Sequence, residues 1–495
     1  MDIGSTLDLV GTITKYLAVT PLIPAAAAVG YGESPRPFLL TAAIALTVGV
    51  VLELAIRGEK ERVGAREGFL VVALTWLVAA AVGALPYVLS GEPQLSRPLD
   101  AYFEAMSGFT TTGASILTEI DALPRSVLLW RQLTQWLGGM GIIVLAIAIL
   151  PRLRVGGRQL LESELPGPEI DPLMTRIRDT ARRLWVVYIA LTALLMVGLL
   201  SFGWFGIDER MHPFNAVAHA LTTMPTGGFS PENRGIEVFA PATQWLIIVF
   251  MLIAGTNFAL TYRALMRHDT AVFRRDEEFR LYLGFIVLAA GVIGISLLLD
   301  GVATGENAVR QAMFQTVSMM TTTGYASTDF ATWPALAVMA LIGLMFIGGS
   351  AGSTSGSVKV GRHLLLGRIL SREIDLTIHP ELISPVRMNR ASMSERTLRG
   401  ISTFALLYIG VFIVGALVIA IDGSAAKLDL SVVGAVSAAA TTLGNVGPGF
   451  GFAGPMGSFE PFGDASTATM IVLMWLGRLE LIPILVLFSR HYWRA

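Results

Sequence analysis

Ser318-Met-Met-Thr-Thr-Thr-Gly324 is the stretch that decides the fold, because the chain repeats its pattern three more times. The other copies are Ser107-Gly-Phe-Thr-Thr-Thr-Gly113, Thr222-Thr-Met-Pro-Thr-Gly-Gly228 and Thr441-Thr-Leu-Gly-Asn-Val-Gly447. Each copy has a hydroxyl residue six positions before a glycine and a small polar residue two positions before it. The glycines are separated by 115, 96 and 123 residues. This regularity indicates a fold built from four similar units.

The composition of the chain is that of a membrane protein. Of its 495 residues, 53% are hydrophobic and 15% are charged, whereas soluble domains carry about 25% charged residues. Apolar runs that match the roughly 20 helical residues needed to cross a membrane lie at 8–31, 37–56, 68–90, 126–150, 183–205, 241–265, 281–300, 334–369, 400–421 and 466–489. We therefore expect ten spans. Lys15 interrupts the first run, which leaves an interfacial helix as the alternative there.

The connections between the runs alternate in charge. Five segments, 57–67, 151–183, 263–280, 359–399 and 490–495, hold 26 of the 36 Lys and Arg residues, and the opposite connections hold 7. The positive-inside rule assigns the first set, and both termini, to the cytoplasm. The opposite loops carry acids that would concentrate cations, although an ordinary solvated loop is the alternative for any one of them. These acids are Asp100, Glu104, Glu119, Asp121, Asp208, Glu209, Asp300, Glu306, Asp329 and Asp429.

Each repeat is preceded by a short, mildly apolar segment, at 98–110, 212–225, 306–321 or 429–443. About 14 helical residues span only ~20 Å, so these segments should enter from outside and turn back. Non-helical backbone at membrane depth is tolerated where it is buried or lines a water-filled cavity. We therefore predict an all-α polytopic membrane protein with about ten transmembrane helices, in which four helix–pore-loop–helix units surround one central pore. The units are 67–155, 176–268, 276–372 and 395–495, after an N-terminal helix pair at 1–66.

The repeated loops suit a dehydrated monovalent cation, which needs several oxygen ligands such as rings of backbone carbonyls. Glycine permits positive φ, which lets successive carbonyls point the same way. The inward C-terminal ends of four short helices would add a dipole charge of about −0.5 each. The predicted ion filter consists of Thr110, Thr111, Thr112, Gly113, Thr226, Gly227, Gly228, Thr321, Thr322, Thr323, Gly324, Asn445, Val446 and Gly447.

A glycine-rich segment, Gly348-Gly-Ser-Ala-Gly-Ser-Thr-Ser-Gly-Ser357, interrupts the long run 334–369. A helix must break there in mid-membrane, so the broken backbone lines a cavity or is buried. We predict that it forms a gate beneath the filter, and a packing hinge is the alternative. The predicted gating residues are Gly348, Gly349, Ser350, Ala351, Gly352, Ser353, Thr354, Ser355 and Gly356.

Arg478 lies inside the last apolar run, and an intramembrane charge is a functional hypothesis by default. It lies 31 residues after Gly447. The nearest equivalents in the other units are Gly139, Gly255 and Gly349, which lie 25–27 residues after their central glycines. A positive charge ~8 Å from the ion would raise its barrier by about 0.5–2 kcal/mol. We assign Arg478 to gating, with an ion pair to Glu480 or a loop acid as the alternative.

These motifs resemble the Trk/Ktr/HKT superfamily of potassium transporters, and specifically the bacterial Trk-type membrane subunit. The likeness runs from about residue 37 to the C-terminus and rests on sequences at 110–115, 225–230, 321–325, 348–356, 445–449 and 477–480. It implies potassium uptake across the cytoplasmic (inner) membrane of a prokaryote, with K⁺ as the transported ion, no organic cofactor, and a filter centred on Gly113, Gly228, Gly324 and Gly447.

The same resemblance implies particular partners. A homodimer is expected, as is a cytosolic regulatory subunit with Rossmann-like nucleotide-binding domains, which the basic segments 151–183 and 359–399 could contact. Membrane lipid is the remaining partner, and no nucleic acid is expected.

Two other functions fit the sequence less well. A proton- or sodium-coupled transporter of another small solute predicts inverted repeats and buried acid pairs, whereas these repeats run parallel. An intramembrane enzyme needs a nucleophile and a base on facing spans, and the sequence suggests neither.

Overall fold

The computed structural model describes residues 3–54, 64–148 and 173–493, which form an almost entirely helical protein. The predicted basic segments 57–67 and 151–183 fall largely outside these residues. The α-helices are α1 Ile3–Leu17, α2 Leu22–Tyr31, α3 Arg36–Leu54, α4 Ala65–Ser90, α5 Pro98–Phe109, α6 Arg125–Ala148, α7 Leu173–Trp204, α8 Pro213–Thr223, α9 Pro241–Ala254, α10 Phe258–Arg267, α11 Ala271–Arg275, α12 Glu277–Leu299, α13 Gly305–Met320, α14 Ala335–Leu344, α15 Val360–Ile378, α16 Glu395–Ala425, α17 Val432–Gly444, α18 Asp464–Arg478, α19 Ile482–Leu485 and α20 Arg490–Trp493.

Short elements complete the description. An antiparallel ribbon pairs β1 Arg387–Met388 with β2 Ala391–Ser392. The 3₁₀ turns are Pro93–Leu95, Gly235–Val238, Phe330–Thr332, Gly451–Ala453 and Val486–Phe488.

The ten predicted apolar runs each contain helical structure. Among the described residues, six helical segments can cross a membrane by length and composition, or eight if two bent pairs each count as one span. One bent pair is α9 with α10, at 104°. The other is α18 with α19 and the 3₁₀ turn Val486–Phe488, at 111°. The two remaining runs correspond to α6 and to the pair α14 and α15, which a non-helical stretch separates at 345–359.

The first apolar run is a helical segment from Ile3 to Tyr31 that meets the criteria for a span. The Lys15 ammonium, which made this run ambiguous, lies 2.7 Å from the Glu53 carboxylate of α3. Gly11 and Gly49 let α1 and α3 approach closely, since a Cβ on either would lie 2.8 Å from the other's carbonyl oxygen. A charge within a span is tolerated here because the neighbouring helix supplies its counter-ion.

Four short helices, α5, α8, α13 and α17, lie between the spanning helices of the four units. They contain 12, 11, 16 and 13 residues, too few to cross the hydrocarbon core. Their positions match the predicted segments closely. In α17, every residue from Ala438 to the C-terminal end is buried, as expected for a short helix enclosed by other helices. The prediction of four helix–loop–helix units is confirmed at the level of the fold.

Two of the predicted outer acids are buried, so the alternative of an ordinary solvated loop residue is wrong for both. Glu104 is fully buried on α5, and Asp208 is 4% exposed. The Asp208 Oδ2 atom accepts hydrogen bonds from the Ala240 amide at 2.8 Å and the Thr243 hydroxyl at 2.6 Å. This carboxylate therefore satisfies free donors at the start of α9 instead of facing water.

Candidate functional site

The short helices all end in the same backbone motif. The residue two positions before each central glycine is left-handed, with φ of 51° at Thr111, 54° at Thr226, 56° at Thr322 and 54° at Asn445. The next amide donates to the carbonyl five residues earlier, at 2.9 Å in all four units. These bonds are Thr112 to Ser107, Gly227 to Thr222, Thr323 to Ser318 and Val446 to Thr441. They have the Schellman pattern of helix ends.

Three of these left-handed residues are threonines, which is unusual. Glycine and asparagine tolerate positive φ, whereas a β-branched residue there is a steric outlier. Such strain costs about 1–3 kcal/mol and persists only where the surroundings enforce it. The same strain at Thr111, Thr226 and Thr322 therefore indicates a functional constraint on these loops.

The four central loops, residues 110–113, 226–228, 321–324 and 445–447, close into one ring. A Cβ atom added to any central glycine would collide with a carbonyl oxygen of the next unit. The pairs are Gly113 with the Gly227 oxygen, Gly228 with the Thr323 oxygen, Gly324 with the Val446 oxygen, and Gly447 with the Thr112 oxygen. The order of contacts is thus unit 1, 2, 3, 4 and back to 1. The carbonyl before each glycine lies at a junction of this ring.

Except at Thr111, whose buried hydroxyl has no hydrogen-bond partner among the described residues, the threonine side chains of the loops bond to the protein and hold the helix ends. In unit 1, the Thr110 hydroxyl donates to the Met106 carbonyl at 2.6 Å and lies 2.7 Å from the Thr112 hydroxyl. Unit 3 repeats this pair with Thr321 and Thr323 at 2.7 Å. The Asn445 amide nitrogen donates to the Thr112 hydroxyl at 3.0 Å and so joins unit 4 to unit 1. These side chains tie the loops together, and the backbone carbonyls are the candidate ion ligands.

The intramembrane loop, residues 348–357, lies against the central loops. The Thr354 hydroxyl is 3.3 Å from the Thr226 hydroxyl and 3.1 Å from the Met224 carbonyl oxygen in unit 2. The Gly356 amide donates to the Thr322 hydroxyl of unit 3 at 2.6 Å. A Cβ on Gly356 would lie 2.9 Å from the Asn445 side chain of unit 4. The loop thus contacts the left-handed residues of three units.

The intramembrane loop is also anchored from beneath. The Arg478 guanidinium donates to the Thr354 carbonyl at 2.8 Å, and the Lys359 ammonium donates to the Ser355 carbonyl. The Glu278 carboxylate accepts a hydrogen bond from the Ala351 amide at 2.6 Å. Two cationic donors therefore bind consecutive carbonyls of the loop.

The structure tests the predicted ion pair between Arg478 and Glu480. Glu480 pairs with Arg362, so it is not the counter-ion of Arg478. Arg478 is 2% exposed, and its Nε and Nη2 atoms have no hydrogen-bond partner among the described residues. Its one described hydrogen bond is to the intramembrane loop. The ion-pair alternative with Glu480 is therefore wrong.

Residues 36–494 match the family model of TrkH, described as a cation transport protein. The chain belongs to the TrkH family. It is 38% identical to the Trk system potassium uptake protein TrkH of Salmonella typhimurium over 501 residues, with full coverage of both chains. It is 31% identical to TrkG of Escherichia coli, with 98% and 97% coverage. The crystal structure of the potassium transporter TrkH from Vibrio parahaemolyticus superposes with a TM-score of 0.89 at 35% identity, again with full coverage of both chains. The predicted family resemblance is confirmed.

Three side chains near the ring of this TrkH-family chain, those of Glu104, Arg131 and His219, were not among the predicted site residues. The Arg131 guanidinium on α6 donates to the buried Glu104 carboxylate at 2.8 Å, and both residues are at most 1% exposed. Glu104 also accepts from the Ile116 amide at 3.1 Å and the Ser115 hydroxyl at 3.0 Å, just beyond Gly113. The available signal was position, because Glu104 and His219 each lie nine residues before a central glycine.

His219 holds unit 2 in a comparable way. Its Nε2 atom is 3.2 Å from the Ser230 hydroxyl, two residues after Gly228, and its Nδ1 atom is 2.8 Å from the Asn215 carbonyl oxygen. The ring is fully buried. In both units a polar side chain of the short helix thus bonds the non-helical segment that follows the central loop.

Proposed function

We propose that this chain is the membrane subunit of a potassium uptake system in the cytoplasmic membrane of a prokaryote. The observation that carries the proposal is the closed order of contacts among the four central glycines. A ring in which every unit brings a carbonyl beside the next unit's glycine is suited to replacing the hydration shell of a monovalent cation. The names of the relatives support potassium as that ion.

The filter comprises the four central loops. Glycine at the four central positions keeps side chains out of the ring, where a Cβ would meet carbonyl oxygens. Each short helix ends at its loop, so the negative ends of four helix dipoles favour a cation there.

The intramembrane loop is the gate of this pathway. Its contacts with Thr226, Thr322 and Asn445 support a position that obstructs ion passage beneath the filter. Arg478 acts on the same path, both by its charge and by its bond to the Thr354 carbonyl. A glycine- and serine-rich segment can change backbone conformation with little steric strain, which suits a two-state element.

A cytosolic nucleotide-binding regulatory subunit controls the gate, and two membrane subunits form a homodimer with one pore in each. Both termini lie in the cytoplasm. The basic segment 359–399 supports this orientation and adjoins the intramembrane loop directly at Lys359. A partner bound to α15 could therefore bias the loop through a short mechanical connection.

Uptake by the purified protein in liposomes tests this function. Flux of potassium, rubidium, sodium and lithium is compared at equal gradients, with empty liposomes as the control. We expect potassium and rubidium to pass much faster than sodium and lithium. Equal flux of all four ions, or no flux above that of empty liposomes with or without the regulatory subunit, would overturn the proposal.

A further inference from the structure

Two positions on the second helix of each unit break the fourfold repeat near the ring. Counted back from Gly139, Gly255, Gly349 and Arg478, the residue four positions earlier is glutamine in unit 1 and methionine in the other units. The four residues are Gln135, Met251, Met345 and Met474, and each is fully buried. Eight positions earlier, unit 1 has arginine where the others have apolar residues: Arg131, Ile247, Leu341 and Met470.

The central loop of unit 2 differs from the other three loops in a complementary way. The residue before the central glycine is threonine or valine in units 1, 3 and 4, at Thr112, Thr323 and Val446, but it is glycine in unit 2, at Gly227. The second helix of one unit packs on the loop of the next. A Cβ on Gly139 would contact Pro225 of unit 2, and one on Gly255 would contact Thr321 of unit 3. The glutamine and the missing side chain therefore belong to the same junction.

At this junction the Gln135 amide occupies the space of the missing side chain. Its Nε2 atom donates to the Gly227 carbonyl at 2.6 Å, and its Oε1 atom accepts from the Phe229 amide at 3.1 Å. A Cβ on Gly227 would lie 2.5 Å from the Gln135 Cδ atom and 3.0 Å from Nε2. Gln135 and a side chain at position 227 thus exclude each other.

Arg131, one turn earlier on α6, extends the same bridge. Its guanidinium donates to the Ser230 carbonyl at 3.3 Å and lies 4.1 Å from the centroid of the Phe229 ring. Together with Gln135 it contacts unit 2 on both sides of Phe229. Residues four apart on a helix share one face, so both side chains point to this loop.

We propose that Gln135 is a positioning residue of the filter, which fixes the carbonyl orientation of the Gly227-Gly228 pair in place of a side chain of unit 2 itself. Two consecutive glycines leave the backbone free to rotate, and a buried carbonyl and amide need partners. Gln135 supplies both partners from unit 1. The inference rests on the proposed filter, because its consequence is a change in ion discrimination.

The test replaces Gln135 and Gly227 one at a time and then together. Gln135→Met installs the residue found at the other three junctions and removes both hydrogen bonds, so we expect the potassium-to-sodium flux ratio to fall about 10-fold. Gly227→Thr perturbs the same contact from the loop side and should also lower the ratio. The double variant Gln135→Met/Gly227→Thr recreates the methionine and threonine of the junction between units 2 and 3. It should restore the ratio to within about twofold of the parental value, as coupling between touching residues requires.

Flux is measured per assembled protein in liposomes, with yield and thermal stability recorded for each variant. A role in folding alone would change yield without changing the ratio. Gly324→Ser, which alters the ring away from this junction, serves as the reference. If Gly324→Ser leaves the ratio unchanged, the filter proposal fails. If it lowers the ratio while both single variants keep the parental value, or if the double variant is as unselective as the singles, the role of Gln135 is overturned.

Discussion

The ring of central loops keeps the fourfold repeat, whereas the layer that contacts the ring departs from it. In the ring, all four units share the left-handed residue, the 2.9 Å helix-end hydrogen bond and the glycine beside a neighbouring carbonyl. In the adjoining layer, the repeat has Gly139 and Gly255 in two units, the intramembrane loop at Gly349 in the third, and Arg478 in the fourth. Arg478 and the loop then bond to each other.

The difference fits the proposed roles of the two layers, which are ion selection in the ring and control of ion passage in the adjoining layer. Coordinating a spherical ion needs similar oxygens from all sides, so a change in one unit weakens the whole ring. Controlling passage needs only one movable element and one charge. Changes in the ring should therefore alter ion selection, whereas changes in the layer beneath should alter rate and leave selection intact.

Deletion of residues 351–355 is the strongest test of the lower layer. If the intramembrane loop holds the pathway about 1% open, removing it should raise regulator-independent potassium flux by up to ~100-fold. The potassium-to-sodium ratio should remain at the parental value because the ring is unchanged. Both quantities are measured in liposomes without the regulatory subunit. An assembled deletion variant whose basal flux stays parental would make the loop a packing hinge.

Gly324→Ser is the corresponding test of the ring. The added Cβ would collide with the Val446 carbonyl oxygen, and serine at φ of +76° is strained in any case. A distortion of about 1–3 kcal/mol corresponds to roughly a 5- to 150-fold loss of discrimination between potassium and sodium. The matched control is Gly410→Ser on α16, where a Cβ meets nothing within 4 Å. A selective Gly324→Ser protein would show that the ring does not select the ion.

The features of the ring and the short helices that depend on nearby residues could be predicted from the sequence. The positive φ of the central glycines and the break at 348–357 follow from local composition, and the sequence marks them directly. The left-handed conformation of Thr111, Thr226 and Thr322 does not, because threonine disfavours it and only the surrounding structure enforces it. The short helices were located almost to the residue because length alone excludes a span. Local backbone preference and hydrophobic length act within a few residues, so one sequence is enough to apply them.

The contacts between units could not be predicted in the same way. The sequence places Glu104 among the outer acids and does not predict its burial, because its partner Arg131 is 27 residues away and reaches it only after α5 and α6 pack. The role of Gln135 depends on a glycine 92 residues further along the chain. A comparison of the four units position by position would have marked Gln135, because the other three units have methionine at this position.

Arg478→Ala separates charge from packing in the lower layer. If its charge acts on the ion from ~8 Å, removing it should raise potassium flux by about 2- to 30-fold, with the largest gain at low potassium. Arg478→Lys keeps the charge but shortens the reach to the Thr354 carbonyl, so we expect its flux to stay near the parental value. An increase in Arg478→Lys equal to that in Arg478→Ala would mean that the bond to the loop, and not the charge, forms the barrier.

Glu278→Gln should give a smaller increase in basal flux through the same loop. The Glu278 Oε1 atom accepts hydrogen bonds from the Ala351 amide at 2.6 Å and from the Gly361 amide at 2.9 Å. It therefore joins the intramembrane loop to the first turn of α15. Hydrogen bonds to a charged acceptor exceed neutral ones by about 1 kcal/mol, so neutralising Glu278 should favour the retracted loop about three- to fivefold.

The adjacent Glu277 is the matched control for this substitution. It pairs with Arg368 of α15 at 2.9 Å and accepts a hydrogen bond from the Asn389 amide at 3.0 Å, so these contacts lie away from the loop. Glu277→Gln removes the same charge from the same helix but disturbs only a partly exposed ion pair and leaves the hydrogen bonds of the loop intact, so basal flux should stay near the parental value. Equal increases in both variants would trace the effect to the local charge of α12. An increase confined to Glu278→Gln, with the potassium-to-sodium ratio unchanged, would show that an anchor of the loop regulates rate independently of the ring.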